Sequence, residues 1–97
     1  MERNPAVYLL ASRRGGVLYT GVTSALLQRI WQHRTHQVPG FTERYNIHRL
    51  VWFEQCLEME EAILREKRLK RWRREWKIAL IEATNPEWQD LYHQLIE

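Results

Sequence analysis

Two strand-like runs joined by a short turn near the start of the chain constrain its fold more than any other feature. AVYLLAS at 6–12 is a short apolar run rich in strand-forming residues. RRGG at 13–16 is typical of a turn, and VLYTGV at 17–22 has the alternation of a second strand. Strands joined by so short a turn pair in antiparallel fashion, and the sequence therefore predicts a β-hairpin.

The register of this hairpin decides how Tyr8 and Tyr19 are placed. If Arg13 and Arg14 form a two-residue turn, the tyrosines lie directly opposite each other; if the turn slips by one residue, Tyr19 lies opposite Leu10. Both registers put the tyrosines on one face of the sheet, whereas a three-residue turn would separate them. Such a pair most often serves packing, and the alternative is that two hydroxyls point at one reacting group.

A helix and a third strand are predicted after the hairpin. ALLQRIWQH at 25–33 predicts a helix capped by Thr23 or Ser24. The following segment, 34–46, contains a proline and a glycine and is predicted to be a loop. HRLVWFEQC at 48–56 then has the composition of a strand.

The remainder of the chain predicts helices. A long helix starts at about Glu58, and its acidic start and basic end match the helix dipole. A kink is expected near Arg73. TNPEWQDLYHQLI at 84–96 predicts a last helix with Asn85 as its N-cap and Pro86 at the first helical position.

The order of these elements, β-β-α-β-α-α-α, predicts an α/β protein of the α+β type, with a small three-stranded antiparallel sheet flanked by helices. Its 97 residues, 44% of them apolar, suit a single domain over 1–97. The lone cysteine, Cys56, excludes an internal disulfide and a cysteine-cluster zinc site. Because no cleavage pattern follows Arg3 and no apolar run approaches about 20 residues, we expect a cytoplasmic protein without a membrane partner.

Glu66 occupies an unexpected place on the long helix. It follows Ile63 by three residues and Ala62 by four, and it precedes Leu69 by three, so it lies on the inward apolar stripe. A carboxylate there costs free energy unless it is paired or binds a cation. One interpretation is a salt bridge to an arginine, and the other is a ligand for a hard cation such as Mg²⁺.

The first helix shows a similar pattern at the edge of its apolar side. Arg29 lies there, and His33 follows it by four residues, so both project from the same face. A guanidinium in this position presents a planar set of donors suited to phosphate. The structural alternative is an arginine that only covers apolar surface and a histidine that only packs.

These residues together resemble the GIY-YIG nuclease superfamily. AVY at 6–8 resembles its first tripeptide and YTG at 19–21 its second, followed by Arg29, His33 and Glu66 in the family's order. Ala6 replaces the first glycine and Thr20 the isoleucine of the second motif, which are packing positions. Where some members have a lysine soon after the second tripeptide, this chain has valine and threonine.

The resemblance extends over nearly the whole chain. Three segments look like the small stand-alone bacterial branch of the superfamily: GFTERY at 40–45, HRLVWFE at 48–54 and WKIALIEATNPEWQDL at 76–91. Asn85 is a candidate counterpart of an asparagine that some members use after the metal helix, but its predicted capping role explains it without function. Gly21 closes the second tripeptide, and we expect a metal-bound phosphate or the first helix to approach it closely.

The resemblance implies a divalent-metal-dependent hydrolase of phosphodiester bonds, usually in DNA. Tyr8 and Tyr19 would lie on the attacking side, Arg29 would stabilise charge on the phosphate, and His33 would assist proton transfer or hold a tyrosine in place. Glu66 would hold one Mg²⁺ or Mn²⁺ ion.

A basic block supports a polyanionic partner, although a solvated helix face explains the charges equally well. Between 65 and 77 there are eight lysines and arginines against two acids. DNA, or alternatively RNA, would be contacted by this block and by one arginine of the loop: Arg65, Lys67, Arg68, Lys70, Arg71, Arg73, Arg74 and Arg44.

The sequence therefore leads to three functional hypotheses. The first is a DNA endonuclease with structure-selective or weakly sequence-specific cleavage, acting in repair or recombination. The second is a nucleic-acid-binding module without efficient catalysis. The third is a protein that reuses the fold to bind a partner through its tryptophan-rich C-terminal part, which includes Trp72, Trp76 and Trp88.

Overall fold

The structure, a computed structural model, describes residues 4–96. Its sheet contains β1 (Ala6–Ala11), β2 (Leu18–Thr23) and β3 (Arg49–Gln55) in the order β2-β1-β3, and both pairings are antiparallel. The helices around it are α1 (Leu26–Arg34), α2 (Phe41–Arg44), α3 (Met59–Arg71), α4 (Arg74–Thr84) and α5 (Tyr92–Leu95). The predicted α+β class and the three-stranded antiparallel sheet are confirmed.

The hairpin has the second of the two predicted registers. Tyr19 lies opposite Leu10, and Tyr8 lies opposite Gly21. The turn is closed by a hydrogen bond from the Gly16 N–H to the Arg13 carbonyl at 2.9 Å. Gly15 at its tip has φ 69°, a left-handed conformation that glycine adopts at little cost. The two central residues of the turn are therefore Arg14 and Gly15, one residue later than in the Arg13-Arg14 turn of the first predicted register.

The central strand β1 is buried along its whole length, and its alternating side chains enter two different cores. On one face lies a core that includes residues of α3 and α4: Val7, Leu9, Ala11, Val51, Trp52, Leu69, Ile81 and Trp88. On the other face lies a core that includes α1: Ala6, Tyr8, Leu10, Leu26, Ile30, Ile47 and Leu50. Tyr8 therefore lies on the α1 face of the sheet.

A one-turn helix, α2, interrupts the segment that was predicted to be a loop. The observed order is therefore β-β-α-α-β-α-α-α. Gly40 precedes α2 with φ 106°, and the N–H groups of Arg44 and Tyr45 donate to the carbonyls of Gly40 and Phe41. Four residues are too few to show a helical hydrophobic period, which is why the sequence pattern missed this element.

The helix boundaries differ in two further places from the prediction. α1 begins at Leu26 with Ala25 as N-cap, so neither Thr23 nor Ser24 caps it; Thr23 Oγ1 instead accepts the Ala25 N–H at 3.1 Å. The kink expected near Arg73 is a complete break between α3 and α4, because Trp72 and Arg73 both have extended backbone. Among residues 4–96, no helix is both long enough and apolar enough to cross a membrane.

Asn85 does not start a helix, and this part of the prediction was wrong. Its N–H donates to the Ile81 carbonyl at 2.8 Å, so Asn85 ends α4. Its buried side-chain amide donates to the carbonyls of Val51 and Gln89, and its Oδ1 accepts the Gln89 N–H. These bonds to β3 and to the following turn outweigh the local asparagine-proline start signal. The helix that follows, α5, is only one turn long.

Candidate active site

The two predicted tyrosines come from neighbouring strands and lie side by side. Because Tyr19 pairs with Leu10, it is offset from Tyr8 along the sheet, and the ring centroids are 6.3 Å apart. Tyr8 is 1% exposed, whereas Tyr19 is only half-buried. The prediction that both tyrosines share one face of the sheet was correct. Tyr19 pairs with Leu10, which is two residues from Tyr8 in β1, and side chains two residues apart in a strand point to the same face.

Gly21 provides the space in which the Tyr8 ring lies. A Cβ atom at Gly21 would overlap the ring and the hydroxyl oxygen of Tyr8. The close approach expected at this glycine therefore exists, but neither of the expected neighbours makes it. The ring of a cross-strand partner occupies the place that was expected for a phosphate or for α1.

His33 links the tyrosines to α2. It projects from α1, is buried, and lies with its ring centroid 5.8 Å from Tyr8 and 5.6 Å from Tyr19. Its Nε2 is hydrogen-bonded to the Tyr8 hydroxyl at 3.0 Å, and its Nδ1 to Thr42 Oγ1 at 3.2 Å. Burial, assisted by the Arg29 charge, lowers the pKa of His33 to about 4. The ring is therefore neutral at pH 7, so one nitrogen donates and the other accepts.

The Tyr8 hydroxyl stays protonated at neutral pH. Burial raises its pKa to about 12, with further increases from Tyr19 and Glu66, whereas Arg29 lowers it. The surroundings of this hydroxyl favour a neutral group that donates or accepts a hydrogen bond over a free phenolate.

Arg29 lies one helical turn before His33 and is half-buried. Its Nη1 donates to Gln32 Oε1 at 3.3 Å, which leaves most of its donors free for an anion. Beside it is an open hollow of about 260 Å³, lined by residues at the junction of β2 and α1, among them Thr23, Ser24 and Gln28. The guanidinium therefore borders a space that a phosphate group can enter.

Glu66 lies on α3 between the buried residues Ala62 and Leu69, as its spacing predicted. Its side chain is 13% exposed and pairs with Lys70 Nζ at 2.9 Å, one helical turn away. The partner is thus a lysine of the same helix, whereas the salt-bridge interpretation of the sequence expected an arginine. A half-buried carboxylate with a single exposed cationic partner remains able to bind another cation.

The requirement for a metal can be tested against these residues. Within residues 4–96, no three His, Cys, Asp or Glu side chains gather as a metal cluster, so a closed site of the zinc type does not form there. Mg²⁺ commonly uses one or two carboxylates and completes its shell with water and phosphate oxygens. Glu66 alone therefore fits a magnesium site that the substrate completes.

The residues of the basic block have very different surroundings. Arg65 is half-buried between the rings of Trp52 and Trp72, at 5.9 and 5.4 Å, and pairs with Glu54 at 3.3 Å. Arg74 donates to the carbonyls of Gly15 and Gly16 in the hairpin turn.

The other cations of the block are exposed, except for the half-buried Lys77. Arg73 stacks on Trp76 at 5.5 Å and pairs with Glu75, and Lys70 pairs with Glu66. Lys67, Arg68 and Arg71 are exposed, and within the described residues none of the three forms an ion pair or a side-chain hydrogen bond. Arg44 is exposed on α2. The block therefore combines structural cations with cations available to a polyanion.

Thr42 is a site residue that sequence reasoning missed. It is 5% exposed, and its hydroxyl contacts the histidine that contacts Tyr8. Nothing about a lone threonine in a predicted loop indicates such a contact, because the contact depends on the path of residues 35–47 over α1. GFTERY carried the family resemblance, but it assigned no role to this hydroxyl.

Comparisons with known proteins agree with this geometry. The model of the GIY-YIG catalytic domain matches residues 4–79. The chain is also similar to a UPF0213 protein from Bacillus halodurans, known from its solution NMR structure, with 28% sequence identity and a TM-score of 0.56. That similarity covers 90% of this chain and 92% of the other. No match was found among curated proteins. Since the matched region contains both tyrosines and extends over most of the chain, the protein belongs to the GIY-YIG catalytic domain family.

Proposed function

We propose that this chain is a divalent-metal-dependent endonuclease that hydrolyses phosphodiester bonds in DNA, and that it works as one domain. Membership in a nuclease superfamily supports the reaction class. The observation that carries the proposal is the cluster of Tyr8, Tyr19 and His33, in which the Tyr8 hydroxyl is hydrogen-bonded to His33 and Arg29 precedes His33 by one helical turn. Arg29 would add a phosphate-binding cation to this cluster, and Glu66 would add a carboxylate.

The burial of the tyrosines suggests a division of roles. Tyr19 is the more exposed of the two and would contact the attacking water, while Tyr8 is enclosed and would hold His33 through the 3.0 Å hydrogen bond. Because burial and Arg29 disfavour the protonated ring, His33 would hold the Tyr8 hydroxyl in position through this hydrogen bond and would not store a proton. Arg29 would donate to the phosphate oxygens as negative charge accumulates on them.

Glu66 would hold the metal ion, Mg²⁺ or Mn²⁺. When bound, such an ion neutralises charge on the phosphate and on the leaving oxygen. The exposed cations Lys67, Arg68 and Arg71 would contact the phosphate backbone without reading the bases. Such contacts favour structure-selective or weakly sequence-specific cleavage, of the kind needed in repair or recombination of cytoplasmic DNA.

The test is cleavage of single-stranded, branched and duplex DNA with Mg²⁺, with Mn²⁺ and with a chelator. We expect metal-dependent cleavage by the wild type and a loss of at least about 100-fold in Glu66→Gln and Arg29→Ala. Glu61→Gln is the matched control, since Glu61 is exposed on the same helix. Equal residual cleavage by wild type, Glu66→Gln and Arg29→Ala would identify a contaminant and refute the proposal.

One observation favours a second candidate, a nucleic-acid-binding module without efficient catalysis. The ion pair between Glu66 and Lys70 already supplies a cation to the carboxylate. A module of this kind would bind DNA in a salt-dependent way and cut it under none of the metal conditions. The same assay, combined with a binding measurement, separates the two candidates.

A further inference from the structure

Helix α2 presents different chemistry on its two sides. On the inner side, Thr42 contacts His33, and the buried Ile47 donates its N–H to the Thr42 carbonyl at 2.8 Å. On the outer side, Phe41 and Tyr45 are one helical turn apart and each 49% exposed. The inner contacts fix the helix beside the candidate active site, so the outer pair has a defined position.

Phe41 and Tyr45 form a paired aromatic surface. Their ring centroids are 4.8 Å apart, with an angle of 49° between the ring planes. Because both rings are half-exposed, this one-turn helix leaves apolar surface in contact with water instead of burying it against other residues. Arg44, which is exposed on the same turn, adds a positive charge next to this surface.

We propose that Phe41 and Tyr45 form a stacking platform for an unpaired nucleobase of the substrate strand. Aromatic side chains beside cations are how proteins hold single strands, because every base offers a face for stacking. The bases of an intact duplex are covered on both faces by their neighbours, so only an unpaired base can use the platform. The proposal rests on the proposed nuclease function and assigns its substrate class: DNA with unpaired nucleotides next to the cleaved bond.

The location of the platform supports this occupant over others. Phe41 is the neighbour of Thr42, which is connected to Tyr8 through only one side chain, that of His33. A strand whose phosphate lies near Arg29 and the tyrosines therefore passes close to α2. The platform is continuous with the candidate site, and the charge of Arg44 complements a phosphate backbone.

Binding is measured first, with a chelator present so that no cleavage occurs. The probes are a labelled single-stranded oligonucleotide and a labelled duplex of the same length. We expect Phe41→Ala and Tyr45→Ala to weaken single-strand binding by about tenfold and duplex binding by less than about twofold. Trp31→Ala is the matched control, because Trp31 is similarly exposed, at 46%, and lies on another helix.

Conservative variants separate stacking from folding. Phe41→Tyr and Tyr45→Phe keep a ring and should bind as the wild type does, whereas Phe41→Leu keeps apolar bulk and should lose the preference for single strands. Equal effects of the alanine variants on both probes, or an equal effect of Trp31→Ala, would overturn the platform. The platform would also be overturned if the wild type is a dimer that Phe41→Ala converts to a monomer without changing single-strand affinity. The aromatic pair would then be a subunit interface.

Cleavage distinguishes the failure of this inference from that of the nuclease proposal. In an active enzyme, the alanine variants should raise KM on a branched substrate with unpaired nucleotides and change kcat little. A wild type that cuts nothing, yet shows the expected loss of single-strand binding in the variants, would refute the nuclease and leave the platform in place. A wild type that cuts, with alanine variants indistinguishable from it, would refute the platform alone.

Discussion

Tyr8 is the residue on which the candidate site is built. Its ring lies on Gly21, beside Tyr19, and its hydroxyl is bonded to His33. Each of these neighbours is on a different segment from Tyr8, so the position of the ring reports the packing of β2 and α1 against β1. Adding even one methyl group beneath the Tyr8 ring should therefore displace the ring and reduce cleavage strongly.

Gly21→Ala provides this change. The new Cβ would overlap the Tyr8 ring, and we expect a loss of about 1–3 kcal/mol in the free energy of unfolding together with a loss of most of the cleavage activity. Urea unfolding and cleavage rates measure the two effects.

A second substitution controls for the cause. Tyr8→Leu in the Gly21→Ala background removes the overlap. The double variant should therefore lose less free energy of unfolding than the two single variants lose together, but it should not regain cleavage activity. Wild-type stability and activity in Gly21→Ala would show that the ring does not need this space.

His33 predicts a pH dependence of stability. Its pKa in the folded protein is about 4, below the ordinary value of 6.5, because burial and Arg29 disfavour the charged ring. Between these values the unfolded chain binds more protons than the folded one, so this contribution is complete above about pH 6.5 and is lost as the pH falls towards 4. Urea unfolding of the wild type and of His33→Gln at pH 4.5 and 7.5 measures it.

The variant should show the smaller loss of stability on acidification. His93→Gln serves as the matched control, since His93 is exposed and its replacement leaves the buried ring in place. An identical pH dependence in wild type and His33→Gln would contradict the assignment of a buried neutral ring.

At the scale of elements, Asn85 connects α4 to β3. Its side chain makes three hydrogen bonds, at 3.0 Å to the Val51 carbonyl and at 2.9 Å to each of two backbone groups of Gln89. Asn85→Ala removes the partner of the buried bond to Val51 and of the two part-buried bonds to Gln89, and it should cost about 2–4 kcal/mol in the free energy of unfolding. Thermal or urea unfolding measures the cost.

The control for this substitution is Gln89→Ala. Gln89 takes part in the same bonds through its backbone only, and the residue is exposed, so its truncation should be nearly neutral. A similar cost for the two substitutions would show that the loop, and not the Asn85 amide, provides the stability. The result is independent of catalysis, which distinguishes this role from that of the family's asparagine.

The elements also show what can be predicted from such a sequence. The strands and α3 follow from residue periodicity, and the shared face of Tyr8 and Tyr19 follows from the two-residue repeat of a strand. α2 and the contact between Thr42 and His33 could not be predicted, because both depend on how a loop folds back on α1. Asn85 was predicted wrongly because bonds to a distant strand override a local helix-start signal.

At the scale of the whole molecule, the basic block divides into structural and available cations. Replacing Lys67, Arg68 and Arg71 with glutamine should weaken DNA binding and lower the slope of log K against log salt by about 2–3, since each lost phosphate contact contributes about 0.9. Arg65→Gln should instead lower the free energy of unfolding, because Arg65 lies between Trp52 and Trp72.

Both quantities are measured for both variants, by DNA binding at several salt concentrations and by urea unfolding. An equal change of slope in Arg65→Gln would place Arg65 among the phosphate-binding cations. No change of slope in the triple variant would show that the polyanion binds elsewhere on the molecule.

The central position of β1 has a consequence for how the protein is made. β1 is synthesised early, but its second partner strand, β3, and the carboxylate of Glu66 come from the second half of the chain. Pairing segments so far apart requires closing a long loop, which is slow compared with hairpin formation. A chain still emerging from the ribosome therefore carries both tyrosines before β3 and Glu66 are in place, and any nucleolytic activity would arise only when folding is nearly complete.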